Sequence, residues 1–126
     1  RLSGQPVAFL LRNFVSDDER AAIIAEAEAS SKLKTASTSG ETSSRRKCDI
    51  CCLSMQSPVV ASLTRDASRL LLSNEARRAP GSGSEDLHVL RYAAGGEYRP
   101  HFDAGSSLPR VLSILYYVRM RSNMQT

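Results

Sequence analysis

The spacing of apolar and polar residues changes along this chain from a helical period to an extended one. Val7 to Phe14 is apolar and compatible with a strand, and the Ser-Asp-Asp-Glu run at 16–19 has the form of a helix capping box. This run predicts a helix from about Asp17 to about Lys34. The helical period places three apolar residues on the inner side of this helix: Ile23, Ile24 and Ala27. It places Glu26 and Glu28 on the solvent side.

A second helix is predicted after a loop and a strand. Residues 35–44 are rich in Ser, Thr and Gly and predict a loop, whereas Lys47 to Ser54 predicts a strand. Ser57-Pro58 predicts a helix start, because proline is favoured at the first helical position. The apolar residues that follow recur at three- and four-residue spacing: Val59, Val60, Leu63, Ala67, Leu70 and Leu71. Residues 79–84, which are rich in Pro, Gly and Ser, then end the helical pattern and mark the plausible internal boundary of the chain.

The part of the chain after the break has an extended period. Leu87 to Tyr92 alternates, residues 93–96 predict a turn, and Glu97 to Asp103 is extended again. After a predicted loop at 104–109, Arg110 to Val118 forms an unbroken apolar run of the kind buried on both faces of a sheet. Two helices followed by several strands predict an α+β fold, with an antiparallel β core backed by N-terminal helices.

Length and composition narrow the class of protein. A chain of 126 residues forms at most one domain, and its 41% hydrophobic and 24% charged content is typical of a globular protein. No apolar run reaches the roughly 20 residues that cross a bilayer, so we expect no membrane segment. The net charge of +4 is dispersed and lacks interleaved aromatic residues, so we expect no nucleic-acid partner.

The three cysteines form no recognisable metal or redox motif. Cys48 and Cys51 have C-x-x-C spacing, but no second pair or nearby histidine completes a zinc site. We expect Cys48, Cys51 and Cys52 to be buried as small hydrophobic residues, and their role stays open.

The residues with the most suggestive chemistry are His101 and Asp103. Side chains two apart on an extended segment point to the same side. One histidine and one carboxylate supply two of the three ligands in the facial arrangement of non-haem Fe(II) oxygenases. No histidine follows Asp103 to supply the third ligand. The alternative interpretation of His101 and Asp103 is an ordinary surface pair at the end of a strand.

The flanking sequence adds a family resemblance. Three runs carry it, namely EDLHVLRY at 85–92, GGEYRPHFD at 95–103 and RVLSILYYV at 110–118. Together they resemble the catalytic domain of the prolyl 4-hydroxylases, which are Fe(II)/2-oxoglutarate-dependent dioxygenases. The resemblance implies an incomplete double-stranded β-helix (jelly-roll) core. Residues 1–80 would support it, residues 85–118 would be its first strands, and residues 119–126 would be a divergent tail.

The resemblance also implies roles for individual residues. His101 and Asp103 would be iron ligands, Tyr92 would reach the 2-oxoglutarate, and Tyr98 would be a catalytic residue at the mouth of the site, near the substrate. Ser113 stands where the family usually has a threonine and would help bind the cofactor. The implied cofactors are Fe(II), 2-oxoglutarate as cosubstrate and ascorbate as reductant. The implied partners are molecular oxygen and a peptide or protein containing proline.

Other residues near these motifs have simpler explanations. Tyr92, Tyr116 and Tyr117 can be core aromatics with tethered hydroxyls, which is the preferred interpretation of Tyr116. His88 is expected on the solvent face of its strand, and Arg91 is explained either as a structural ion-pair former or as a substrate contact.

The chain departs from the family after Val118. The family continues with a GGET-like turn, a distal iron-binding histidine and a lysine that pairs with 2-oxoglutarate, whereas residues 119–126 contain none of these. We therefore expect a C-terminally truncated domain that is inactive, or nearly so, on its own. One alternative is a non-catalytic fragment that binds peptides or dimerises, with self-association through the exposed edge of strand 110–118. A second alternative is a nucleic-acid-linked dioxygenase. Family resemblance suggests the secretory pathway or endoplasmic reticulum, but the compartment stays open.

Overall fold

Two helices and two small antiparallel sheets make up the regular structure. The structure is a computed structural model that describes residues 3–4, 7–30, 34–35, 48–71, 84–103, 110 and 112–119. Strands β1 (Ser3–Gly4) and β2 (Val7–Ala8) pair with each other. The larger sheet consists of β3 (Lys34–Thr35), β4 (Asp49–Leu53) and β5 (Leu87–Arg91), with β4 in the middle. Two helices, α1 (Asp17–Ala29) and α2 (Pro58–Leu71), flank it. The α+β class is confirmed.

Helix α1 begins as predicted but ends earlier. Ser16 Oγ accepts the Glu19 backbone N–H at 3.2 Å, and the Glu19 carboxylate accepts the Ser16 N–H at 2.8 Å, which is a complete capping box. The predicted end near Lys34 is wrong, because the helix stops at Ala29 and Lys34 pairs with β4. At the end of the helix the Ser30 hydroxyl donates to the Ala27 carbonyl at 2.8 Å. Such side-chain bonds compete with continued helix.

The core lies between the helices and one face of the larger sheet. Its buried cluster consists of Ile23, Ala27, Cys51, Leu53, Val60 and Leu63. Ile23 and Ala27 of the α1 stripe and most of the stripe of α2 are therefore confirmed, whereas Ile24 is only partly buried and lines a cleft. Two expectations are wrong: Leu70 is 51% exposed, and Glu26 does not simply face water but accepts a hydrogen bond from Ser57 Oγ at 2.7 Å.

Alternation along β4 separates the cysteines. Cys48 and Cys51 are buried as expected, whereas the expectation for Cys52 is wrong because its side chain is exposed. Cys52 lies opposite His88 in the β4–β5 register. Successive side chains of a strand point to opposite faces, so Cys51 faces the core while Cys52 and His88 face solvent.

Strand β5 and the turn after it match the sequence pattern. Arg91 lies opposite Asp49 in the antiparallel register, and its Nη2 is 2.7 Å from Asp49 Oδ2, which confirms the ion-pair interpretation. The Gly96 N–H donates to the Ala93 carbonyl at 2.9 Å. Gly95 has φ +76°, a left-handed conformation that favours glycine.

The last two predicted strands are wrong over the described residues. Between 97 and 103 only Tyr98 makes an isolated bridge, and residues 112–119 are irregular. Leu115 is 74% and Tyr117 is 68% exposed, so this run is not buried on both faces. A strand needs a partner for its backbone groups, and none lies beside this run within the described ranges. Tyr116 packs against the core and stacks on Phe14, with 6.2 Å between the ring centroids. Its interpretation as a core aromatic residue is therefore confirmed.

Several predictions lie outside the described residues. These are the loops at 36–44 and 104–109, the break at 79–83 and residues 120–126 of the tail. Neither described helix has both the length and the apolar character that a bilayer crossing needs.

Candidate functional site

The structure brings the two predicted iron ligands together. His101 Nε2 lies 3.0 Å from Asp103 Oδ1, and the two side chains are 31% and 46% exposed. The segment that carries them is irregular, so strand alternation is not what places them on one side. Contacts from other parts of the chain hold the pair instead.

The carboxylate of Asp103 is held on both oxygens. Ser113 Oγ donates a hydrogen bond to Oδ2 at 2.6 Å, which leaves Oδ1 facing His101. This hydroxyl is the main reason that the pKa of Asp103 lies below its ordinary value, and the positive charge available on His101 acts in the same direction. Asp103 is therefore ionised over the physiological pH range, as a metal ligand must be.

The backbone of the same residue is held by an ion pair. Arg110 Nη1 donates to the Asp103 carbonyl at 3.1 Å, and Arg110 Nη2 lies 2.7 Å from Glu85 Oε2. Arg110 Nε lies 3.0 Å from both oxygens of Glu85. Hydrogen bonding between the partners lowers the pKa of Glu85 and raises that of Arg110. Glu85 precedes β5, so the ion pair ties this segment to the larger sheet.

The imidazole of His101 has a defined environment on its other side. Its Nδ1 lies 2.9 Å from the Arg99 carbonyl oxygen, and its ring stacks on Tyr98 with 3.7 Å between centroids. A carbonyl oxygen can only accept, so Nδ1 carries a hydrogen and Nε2 is the nitrogen that faces Asp103. Nε2 and Oδ1 can then share a proton, or the two atoms can together bind a cation. This orientation of a ligating histidine by a backbone carbonyl is common in metal sites.

The donor set fits part of the implied iron site. One imidazole nitrogen and one carboxylate oxygen are correct ligand types for Fe(II). Within the described ranges, however, no three His, Cys, Asp or Glu side chains converge on one point. The other histidine of the chain, His88, lies on the solvent face of β5. The residues thus fit a two-ligand site for a divalent cation, with its other coordination positions open.

The remaining predicted site residues divide into two groups. Tyr98 and Ser113 both contact the pair, Tyr98 through the ring of His101 and Ser113 through Asp103. Tyr92 instead borders a cleft of about 420 Å³ between α1 and β5, and that cleft is not lined by His101 or Asp103. The structure therefore does not bring Tyr92 to the same concavity as the predicted iron ligands.

Sequence reasoning gave no role to Glu85 and Arg110. Both residues stood in the runs that carry the family resemblance, Glu85 at the start of one and Arg110 at the start of another. Their opposite charges were the available signal. A separation of 25 positions gave no reason to pair them without the structure.

No family model matches this chain, and no curated protein or solved structure matches it. Function is therefore inferred from the residues and their geometry.

Proposed function

We propose that this chain carries part of the site of an Fe(II)/2-oxoglutarate-dependent dioxygenase of the prolyl 4-hydroxylase kind, on a jelly-roll core. The observation that supports the proposal is the His101–Asp103 pair, whose Nε2 and Oδ1 are 3.0 Å apart. Contacts to the second ring nitrogen and the second carboxylate oxygen orient both side chains. An incidental surface pair needs no such support.

Each residue has a distinct part in this proposal. His101 presents Nε2 to the metal because Nδ1 donates to a backbone carbonyl, and Asp103 supplies a negative charge and an oxygen ligand. Fe(II) with 2-oxoglutarate would supply the redox chemistry that activates oxygen, and ascorbate would keep the iron reduced. Tyr98, which stacks on the His101 ring, is the proposed contact of a prolyl peptide. Ser113 is the proposed contact of the cosubstrate and also binds Asp103. Tyr92, the other contact that the resemblance implies, borders a different cleft and would have to move to reach this site.

We further propose that this chain alone turns over slowly or not at all. Two protein ligands hold a divalent cation less tightly than three, so the metal would occupy the site poorly. A coupled assay with Fe(II), 2-oxoglutarate, ascorbate and a proline-rich peptide is expected to give no substrate-dependent succinate. Succinate formation that depends on the peptide would refute this part of the proposal.

Metal binding tests the site itself without turnover. Mn²⁺, added under conditions where Fe²⁺ would oxidise, is expected to broaden the ring resonances of His101 in the NMR spectrum much more strongly than those of His88. Asp103→Asn should abolish the effect, and His88→Ala is the matched control that should preserve it. Equal broadening of both rings, or no broadening at either, would contradict the proposed site.

A second candidate is a non-catalytic module that binds peptides or a second copy of the chain. Exposed large apolar side chains between residues 102 and 117 favour it, because Phe102 is 97%, Leu115 is 74% and Tyr117 is 68% exposed. Apolar surface of this kind commonly marks an interaction site. Sedimentation velocity over a range of concentrations tests self-association, and a single monomeric species throughout would exclude the dimerising form.

A further inference from the structure

Two side chains outside the His101–Asp103 pair contact Asp103, and a third contacts one of those two. Ser113 binds the carboxylate of Asp103, Arg110 binds its backbone carbonyl, and Glu85 binds Arg110. We propose that Glu85, Arg110 and Ser113 form a brace that positions Asp103 against His101. The purpose of the brace, presenting Asp103 as a metal ligand, depends on the proposed function. Its existence as a positioning device does not.

The geometry gives each member of the brace a separate task. An exposed aspartate ordinarily samples several rotamers, so an unsupported carboxylate would spend only part of its time near His101. Ser113 binds Oδ2 at 2.6 Å and thereby directs Oδ1 toward the imidazole. Arg110 fixes the backbone from which that carboxylate projects.

Glu85 makes the guanidinium compatible with a cation site. Arg110 alone would place a positive charge beside the position of a metal and would repel it. Glu85 faces Nε and Nη2 of Arg110, which both compensates the charge and orients the Nη1 hydrogen toward the Asp103 carbonyl. The ion pair therefore positions the ligand without opposing a divalent cation.

Substitution of Arg110 separates positioning from electrostatics, since the two make opposite predictions. If Arg110 acted through its charge alone, Arg110→Met would leave Glu85 unpaired and would tighten the binding of Mn²⁺. If Arg110 acts as a positioning residue, the same substitution weakens binding. Losses of ligand-supporting contacts in metal sites typically reduce affinity by about 10- to 100-fold. We expect about a 10-fold loss for Arg110→Met and for Ser113→Ala.

The experiment measures broadening of the His101 ring signals by Mn²⁺ in the full 126-residue chain. The slope of broadening against Mn²⁺ concentration reports relative affinity even when the site does not saturate. Ser113→Thr, which keeps the hydroxyl, should stay within about threefold of the parent chain. Ser62→Ala, a serine substitution on α2 that touches no member of the brace, is the matched control. Equal slopes for the parent, Ser113→Ala and Arg110→Met would overturn the proposal, as would a steeper slope for Arg110→Met.

A metal-free measurement keeps the brace testable if the proposed function fails. Three-bond NMR couplings that report χ1 of Asp103 should indicate one dominant rotamer in the parent chain and averaging in Ser113→Ala and Arg110→Met. Absence of Mn²⁺ broadening in the parent chain would refute the metal site, and these couplings would then decide the brace alone. Averaged couplings already present in the parent chain, or couplings unchanged by both substitutions, would overturn it.

Discussion

The contact between Ser57 and Glu26 connects the two helices that support the sheet. Ser57 precedes α2 and is only 8% exposed, and its Oγ donates to Glu26 Oε2 on α1 at 2.7 Å. Replacing Ser57 by alanine removes the donor and leaves a half-buried carboxylate without this bond. The Ser57 backbone carbonyl still accepts the Ala61 N–H at 2.8 Å, so the start of α2 keeps that bond.

The expected loss follows from the charge of the acceptor and its partial burial. A hydrogen bond to a charged group contributes about 1.5–3 kcal/mol to stability. Because Glu26 retains some access to water, we expect Ser57→Ala to lower the free energy of unfolding by about 1.5 kcal/mol, near the bottom of that range. For a domain of this size, such a change lowers Tm by about 5 °C.

A double-mutant cycle isolates this contact. Urea unfolding of the parent, Ser57→Ala, Glu26→Ala and the double variant should give a coupling energy of about 1 kcal/mol or more. Glu28→Ala is the matched control on α1, because Glu28 makes only an exposed 3.7 Å ion pair with Arg119, and such pairs contribute little. A coupling energy within about 0.3 kcal/mol of zero would refute the role given to the contact.

Three further predictions concern the sheet and the segment beside it. Arg110→Gln should raise the pKa of Glu85 toward its ordinary value, as followed by carboxyl ¹³C shifts. Folding lowers the pKa of Glu85, so the stability that its carboxylate contributes is present above the unfolded-state pKa. This stability is lost as pH falls through the folded-state pKa. A pKa of Glu85 unchanged by the substitution would contradict the ion pair. Leu115→Lys should reduce any self-association seen by sedimentation velocity and change stability by less than about 0.5 kcal/mol, because the side chain is mostly exposed. A thiol reagent should modify Cys52 rapidly and the two buried cysteines only on unfolding, so Cys52→Ser should remove the fast phase of the reaction.

The elements that the sequence predicted well are those whose determinants are local. The capping box at Ser16 is four consecutive residues, and the start of α2 at Pro58 follows from the fixed φ of proline. The alternation of apolar and polar residues in β5 is equally local. The backbone groups on its edge toward β4 are paired in the antiparallel ladder. Local patterns could not reveal that Glu26 binds Ser57, since the partners lie 31 positions apart.

The run from residue 112 to 118 shows where a local pattern fails. Its apolar residues are typical of a buried strand, but burial and strand pairing depend on what lies alongside. Among the described residues, only Tyr116 and Val118 of this run pack against the core. The candidate site shows the same limit. His101 and Asp103 were identified from a short motif, whereas the distant contacts that hold Asp103 come from Arg110 and Ser113, with Glu85 paired to Arg110.

The His–Asp pair and several large apolar side chains of the segment that contains Ser113 are both exposed. Ser113 binds Asp103, so the segment that includes Leu112, Ile114 and Leu115 runs beside the pair. A layer of protein that covered those apolar side chains would also remove water from around the pair. In a less polar environment the attraction between the carboxylate and a cation is stronger than in water. A partner that covered both the segment and the pair would therefore strengthen cation binding, which links the interaction proposal to the catalytic proposal.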